Sequence, residues 1–182
     1  AMIFQEPMTA LNPSYTIGDQ LSEVHRRHKN STRAAARDRA VDAGFSVIIV
    51  TGDRDSYQLV RDPVVRVLYN KRGVTDYALY DEAGIVEKTG VHPSKYVEYA
   101  ALRGDPSDNL PGVPGIGEKT AAKLITQYGN LEGVLSAADG QTPKLRANLL
   151  EHGERVRRNA GMMVLRRDVP LDVDLSALAP SP

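Results

Sequence analysis

The sequence predicts an α/β region followed by a mostly helical one, and three observations carry that prediction. Residues 45–51 (FSVIIVT) form a short, unbroken, β-branched run, the pattern of a strand buried on both faces of a parallel sheet. Residues 64–69 and 74–80 read as two further strands, joined by the turn Asn70-Lys71-Arg72-Gly73. Beyond Gly117 the punctuation is that of short amphipathic helices.

Taken in chain order, the opening forty residues are loop-rich, broken by Glu6-Pro7, Asn12-Pro13 and Gly18. Helices are expected over 19–28 and 32–43. The second is rich in Ala and Arg and carries little apolar surface to pack. The strand at 45–51 ends at Gly52-Asp53-Arg54-Asp55-Ser56, and a short helix fits 56–60 with Asp55 or Ser56 as N-cap. Further helices are expected over 82–88 and 93–102, the latter with Pro93 in its first turn. Residues 118–128 are helical up to Gly129, a stop signal. Residues 131–137, 143–149 and 154–165 follow as separate helices, and 170–182 reads as a tail with one short strand.

Composition narrows the function classes. The chain has 182 residues and a formal net charge of zero, so no global basic field announces a nucleic acid. Any such binding has to come from a local patch. There is no cysteine, which excludes disulfides and thiolate zinc sites. No apolar run is long enough to span a bilayer, and no basic-then-apolar leader opens the chain. The expectation is a soluble, cytoplasmic protein with no membrane partner. Aromatics are sparse (eight Tyr, two Phe, no Trp), too few for a base-stacking platform. A nucleic acid would be gripped by its backbone.

The richest stretch runs from Arg103 to Ala121: RGDPSDNLPGVPGIGEKTA. It joins two spaced carboxylates to a glycine-rich hairpin that opens a helix. Asp105 and Asp108 lie on a loop after a helix, while Asp53 and Asp55 sit just past the carboxyl end of the strongest strand, the edge where open α/β sheets bind ligands. If the pairs converge, four carboxylates repel one another unless cations neutralise them. Hard divalent ions take such oxygen ligands, and two of them can clamp a scissile phosphate. Each pair also has an ordinary reading: Asp-x-Asp is a common N-cap, and Asp-Pro-Ser-Asp-Asn a common turn.

The hairpin is not a nucleotide P-loop, because Glu118 separates Gly117 from Lys119-Thr120 and no strand precedes it. It matches a helix-hairpin-helix element. Gly115 and Gly117 let the backbone turn tightly and approach a phosphate. Lys119 and Lys123 share one helix face, and Thr120 adds a hydroxyl. Such contacts hold a duplex without reading its bases. Lys144, Arg146, Arg155, Arg157, Arg158, Arg166 and Arg167 follow, most expected on solvated helix faces and a few extending the phosphate track.

VTGDRDSYQLV (50–60) and ALRGDPSDNLPGVPGIGEKTAAK (101–123) resemble the 5′-nuclease domain of bacterial DNA polymerase I, in the flap endonuclease family. The resemblance spans about residues 43–175. It implies a partial PIN-like parallel sheet with a helix-hairpin-helix arm, two Mg2+ or Mn2+ ions, and a duplex with a 5′ flap or nick as substrate. Asp53, Asp55, Asp105 and Asp108 would be metal ligands. Gly115, Gly117, Lys119, Thr120 and Lys123 would hold DNA, with a potassium ion on the hairpin carbonyls. The family also places an Asp after its first strand, another Asp further on, and a Glu-Ala-Asp-Asp helix start. The last slot falls here on His28-Lys29-Asn30-Ser31. With half the metal carboxylates missing, the resemblance implies DNA binding and a partial metal site, with cleavage by the isolated chain not expected. A complementary nuclease fragment as partner would complete the set. A sheet short of strands would also leave an exposed edge.

Residues 2–23 (MIFQEPMTALNPSYTIGDQLSE) resemble instead the Q-loop region of ATP-binding subunits of peptide ABC transporters, with Gln5 as the Q-loop glutamine. No G-x-x-x-x-G-K-[ST] or LSGGQ accompanies it. The expectation is a chimera joined near 38–43, with an ABC-like fragment at 1–42, a partial α/β nuclease core at 43–102 and a helical DNA-binding arm and tail at 103–182. A transport fragment would bind ATP and not DNA.

Overall fold

The computed structural model describes residues 2–4, 38, 41–42, 44, 46–72 and 76–170. These fall into two compact units, one of residues 1–81 with 165–182, the other of residues 82–164. The Q-loop resemblance beyond Phe4, including Gln5, the helix expected at 19–28 and the strand expected in the tail lie outside the described residues. Residues 82–102, grouped with the α/β core by the sequence reading, belong to the second unit.

The first unit holds a four-stranded sheet in the order β1 (Met2–Phe4), β2 (Val47–Thr51), β3 (Val65–Arg72), β4 (Asp76–Tyr80). β1 and β3 flank β2 in parallel, and β4 closes antiparallel on β3. β1 is a strand where the sequence reading expected a loop-rich opening, and it pairs in parallel with β2. β2 is buried along nearly its whole length, as its β-branched run requires. Val47, Ile49, Leu59, Val65 and Val67 form the core with Tyr57, whose ring meets Tyr69 and Tyr80 edge-on at 5.4 and 5.6 Å. Residues 165–170 return to this unit: the Leu165 N–H donates to Oε1 of buried Gln58 at 3.1 Å.

The second unit is helical. It comprises α1 (Glu82–Thr89), a 3-10 turn Pro93–Lys95, α2 (Tyr96–Arg103), the two-residue strands β5 (Gly104–Asp105) and β6 (Leu110–Pro111), α3 (Glu118–Tyr128), α4 (Leu131–Ser136) and α5 (Pro143–Met163). α2 lies at the centre and packs on both α3 and α5. Tyr96, Tyr99, Ala100, Ala101 and Leu102 of α2 are all buried, with Val134 and Leu149 among the residues that enclose the core.

Two expectations are corrected here. The helix after β2 is a 3-10 helix, Arg54–Leu59, capped by Asp53 rather than by Asp55 or Ser56. The helices expected at 143–149 and 154–165 are one continuous α5 of 21 residues. Gly153, in the gap between those two expected helices, is buried mid-helix with the Leu135 side chain closing on the space a Cβ would take.

Candidate metal loops and nucleic-acid interface

Asp53 follows β2 directly, at the carboxyl edge of parallel strands. Its N–H donates to Thr51 Oγ1 at 3.0 Å, and its Oδ1 accepts from the Asp55 N–H at 2.9 Å. The Ser56 hydroxyl closes the turn on the Asp53 carbonyl at 2.6 Å. Asp53 therefore fulfils the N-cap role that its spacing allowed, and it holds Asp55 on the same half-buried turn.

Asp105 and Asp108 occupy a tight hairpin rather than a plain loop. β5 and β6 pair Gly104 with Pro111 and Asp105 with Leu110. The chain reverses between them with Asn109 at φ 56°, a left-handed position that Asn tolerates. Gly104 and Gly112 lie back to back here: a Cβ on Gly104 would stand 2.4 Å from the Gly112 nitrogen. Asp108 is exposed, whereas Asp105 is buried.

The buried carboxylate is well served. Asp105 Oδ1 accepts from the Ser107 N–H at 2.9 Å and from the Ser107 hydroxyl. Oδ2 faces the Arg103 guanidinium at 3.6 Å. Burial alone would push its pKa up, but the Ser107 hydrogen bonds and the Arg103 charge outweigh it and hold the carboxyl below the usual Asp range. Arg103 was quoted in the sequence motif without a role. It is only 12% exposed, lies over the Tyr99 ring at 5.3 Å, donates to the Gly104 carbonyl at 3.0 Å and reaches Glu118 at 3.6 Å. It ties the acidic loop to the start of α3.

Oxygen-only donors, with Asp105 kept ionised, fit a hard divalent cation. Within neither unit do three or more His, Asp or Glu side chains gather closely enough among the described residues to hold a metal by themselves.

The hairpin tip is built for exposure. Val113 and Ile116 are buried and anchor it, while Gly115, Gly117 and Lys119 are exposed and Thr120 is half-buried. Gly115 has φ +83°, the left-handed turn expected of it. Gly117 does not: its φ is −97°, and it serves as the N-cap of α3 without any side chain to cap it. Among the described residues neither Gly115 nor Gly117 donates its N–H to a protein acceptor. Lys119 and Lys123 are exposed and form no ion pair among the described residues.

Sequence reasoning did not find the polar residues of α5 that hold the hairpin; it named Arg155 only as a basic residue, and Asn148 and Asn159 not at all. Asn148, Arg155 and Asn159 of α5 donate to the carbonyls of Pro114, Gly112 and Pro111 at 2.7, 2.9 and 3.0 Å. Their spacing of seven and four puts them on one helix face, a legible signal once α5 is read as one helix. Of the basic residues after the hairpin, most of them expected on solvated helix faces, Arg146 pairs with Asp139, Arg157 with Glu132 and Glu154, and Arg166 with Asp168. No helix among the described residues is long and apolar enough to cross a membrane.

Comparison with known proteins places these features. Residues 91–182 match the family model described as 5′-3′ exonuclease, C-terminal SAM fold. The chain is 49% identical over 137 residues to DNA polymerase I of Mycobacterium tuberculosis, covering 73% of this chain and 15% of that protein. It is 50% identical over 141 residues to the 5′-3′ exonuclease of Streptomyces coelicolor, covering 75% of this chain and 47% of that one. The chain thus spans less than half the length of either relative. Among solved structures, T5 5′-exonuclease matches with a TM-score of 0.62 at 21% identity, over 89% of this chain and 71% of that one. A bacteriophage T5 flap endonuclease, solved with DNA and metal ions, matches with a TM-score of 0.62 at 23% identity, over 71% of this chain and 47% of that one. These last two likenesses are of fold, a mixed α/β architecture with a small sheet and a mostly helical C-terminal part, in keeping with the PIN-like expectation. With its acidic hairpin and uncapped glycine turn inside the matched span, the chain belongs to the 5′-3′ exonuclease C-terminal SAM-fold family.

Proposed function

We propose that this chain binds the sugar-phosphate backbone of a nicked or 5′-flapped DNA duplex through the hairpin at Gly115–Lys123, and that alone it does not cut. The observation that carries this is the α3 start. Gly117 caps it without a side chain, and the Lys119 and Thr120 N–H groups have no acceptor among the described residues, so they are left for an anion. Lys119, Lys123 and Thr120 stand beside them, charge and hydroxyl for the same phosphate track. The ionised Asp105, with Asp108, Asp53 and Asp55, would hold Mg2+ or Mn2+, and hairpin carbonyls a potassium ion. Bound divalent ions supply charge stabilisation at the scissile phosphate and an activated water. The chain's own residues position that chemistry: Ser107 fixes the Asp105 carboxylate, and Arg103 holds it in register with α3. Cleavage is not expected because half the family's metal carboxylates are absent, the Glu-Ala-Asp-Asp slot falling on His28-Lys29-Asn30-Ser31.

The test is a binding and cleavage assay on flap DNA with magnesium, beside an Asp105→Ala, Asp108→Ala variant. Binding without cutting by both proteins supports the proposal. Magnesium-dependent cutting lost in the variant would overturn the inactive reading, and no binding at modest salt would remove the DNA assignment.

A second reading is favoured by the span of the match, under half of each relative. In it a partner chain supplies the missing carboxylates and the pair is an active magnesium-dependent 5′-nuclease. It predicts cutting only when a complementary nuclease fragment is added.

A further inference from the structure

We infer that Asn148, far along the chain from the hairpin, is a positioning residue for phosphate capture. It sets the orientation of the peptide that offers the Gly115 N–H. The inference rests on the proposed DNA-binding role of the hairpin.

The argument is geometric. Asn148 Nδ2 donates to the Pro114 carbonyl at 2.7 Å, across 34 residues of sequence. The cis peptide among the described residues is Asp62–Pro63, so the Pro114–Gly115 bond is trans. In a trans peptide the C=O and the N–H point in opposite directions. Drawing the Pro114 oxygen toward α5 therefore turns the Gly115 N–H away from α5. That N–H has no protein acceptor among the described residues, on a residue that is itself exposed.

The neighbouring bonds make this a brace rather than a chance contact. Arg155 and Asn159, on the same face of α5, hold the Gly112 and Pro111 carbonyls from the same side. Val113 donates its N–H to the Leu102 carbonyl at 2.9 Å, fixing the hairpin's base to α2. With base and near limb held, Asn148 is the contact closest to the tip. Gly115 would otherwise sample other orientations freely, and ordering it on binding costs entropy. Asn148 removes part of that cost beforehand.

The test compares Asn148→Ala and the near-isosteric Asn148→Leu, neither of which keeps the amide donor, with Lys119→Ala. Flap-duplex affinity is measured across a salt series, with thermal stability and the Gly115 amide resonance of the free protein read alongside. Both Asn148 variants are expected to bind roughly fivefold more weakly, the scale of one neutral hydrogen bond. Their salt dependence and melting temperature should match wild type, and the Gly115 amide signal should move. Lys119→Ala should weaken binding and also reduce the salt slope by about one, since it removes a phosphate contact. Wild-type affinity in both Asn148 variants, with Lys119→Ala impaired, sinks this inference alone. A loss of binding explained by a fall in melting temperature also overturns it. Failure of wild type to bind the flap duplex sinks the hairpin's DNA role and this inference with it.

Discussion

Gly115 and Gly117 stand two residues apart and are glycine for different reasons. Gly115 sits at φ +83°, where an L side chain is strained even though a Cβ there meets nothing within 4 Å. Gly117 sits at φ −97° in equally open space, so the fold makes no demand for glycine there. Under the proposed DNA contact, its use is bare backbone against a phosphate. Gly115→Ala is expected to cost about 1 kcal/mol of stability in urea unfolding. Gly117→Ala should change stability by less than about 0.5 kcal/mol, yet weaken duplex binding about tenfold by holding a phosphate off the N–H groups. Equal effects of the two on stability, or intact binding in Gly117→Ala, would refute the distinction.

Asp105 gives a pH prediction with a definite sign. Its folded pKa is held below the ordinary 3.8, so its ionisation stabilises the fold above that value. That contribution is lost as pH falls through the folded pKa. Wild type should be more stable than Asp105→Asn at neutral pH, and the gap should close in acid, below about pH 4. Unfolding midpoints of both proteins measured across that range test it; a gap that widens in acid contradicts the assignment.

At the scale of elements, what was legible followed local chemistry. The α3 span was read to the residue, because Gly117 and Gly129 bracket an amphipathic run. β2, β3 and β4 were found from β-branched and aromatic runs, with ends shifted by one to three residues: β3 runs on through Asn70-Lys71-Arg72, which the sequence reading gave to a turn. The gap expected between 149 and 154 is not a break: Gly153 lies there, and sequence does not separate a helix stop from a glycine that admits a neighbour. Only packing against Leu135 makes that distinction. The brace from α5 was hidden for the same cause: split into two helices, Asn148 and Arg155 share no face. Gly153→Ala is expected to stabilise by about 0.5 kcal/mol, part of the helix-propensity gain. The new Cβ would meet the mobile end of Leu135 at 3.3 Å, which can shift by a few tenths of an ångström. A β-branched residue has no such room, and Gly153→Val should destabilise. Urea unfolding of the pair reads both signs.

For the whole molecule the governing fact is a net charge of zero. Motif spacing made the candidate acids and the hairpin legible one by one. It could not show how many basic residues are already committed, because that depends on partners distant in sequence. Arg157 takes Glu132 across 25 residues, and Arg146 takes Asp139. Cations neutralised within the protein contribute little to a polyanion, and of the exposed cations without an ion pair among the described residues, Lys119 and Lys123 are the two on α3 that the proposal sets beside the hairpin, Lys144 and Arg158 lying on α5. Duplex binding should therefore fall with salt on a shallow slope, with log affinity against log salt near −2, as expected for roughly two neutralised phosphates. Removing both amines in Lys119→Ala, Lys123→Ala should flatten that slope almost to zero, while neutral hydrogen bonds from the hairpin backbone leave residual weak binding. A slope of about −6 or steeper in wild type would mean that the ion-paired arginines are released to DNA. The grip would then be a broad basic face rather than one glycine-turned corner.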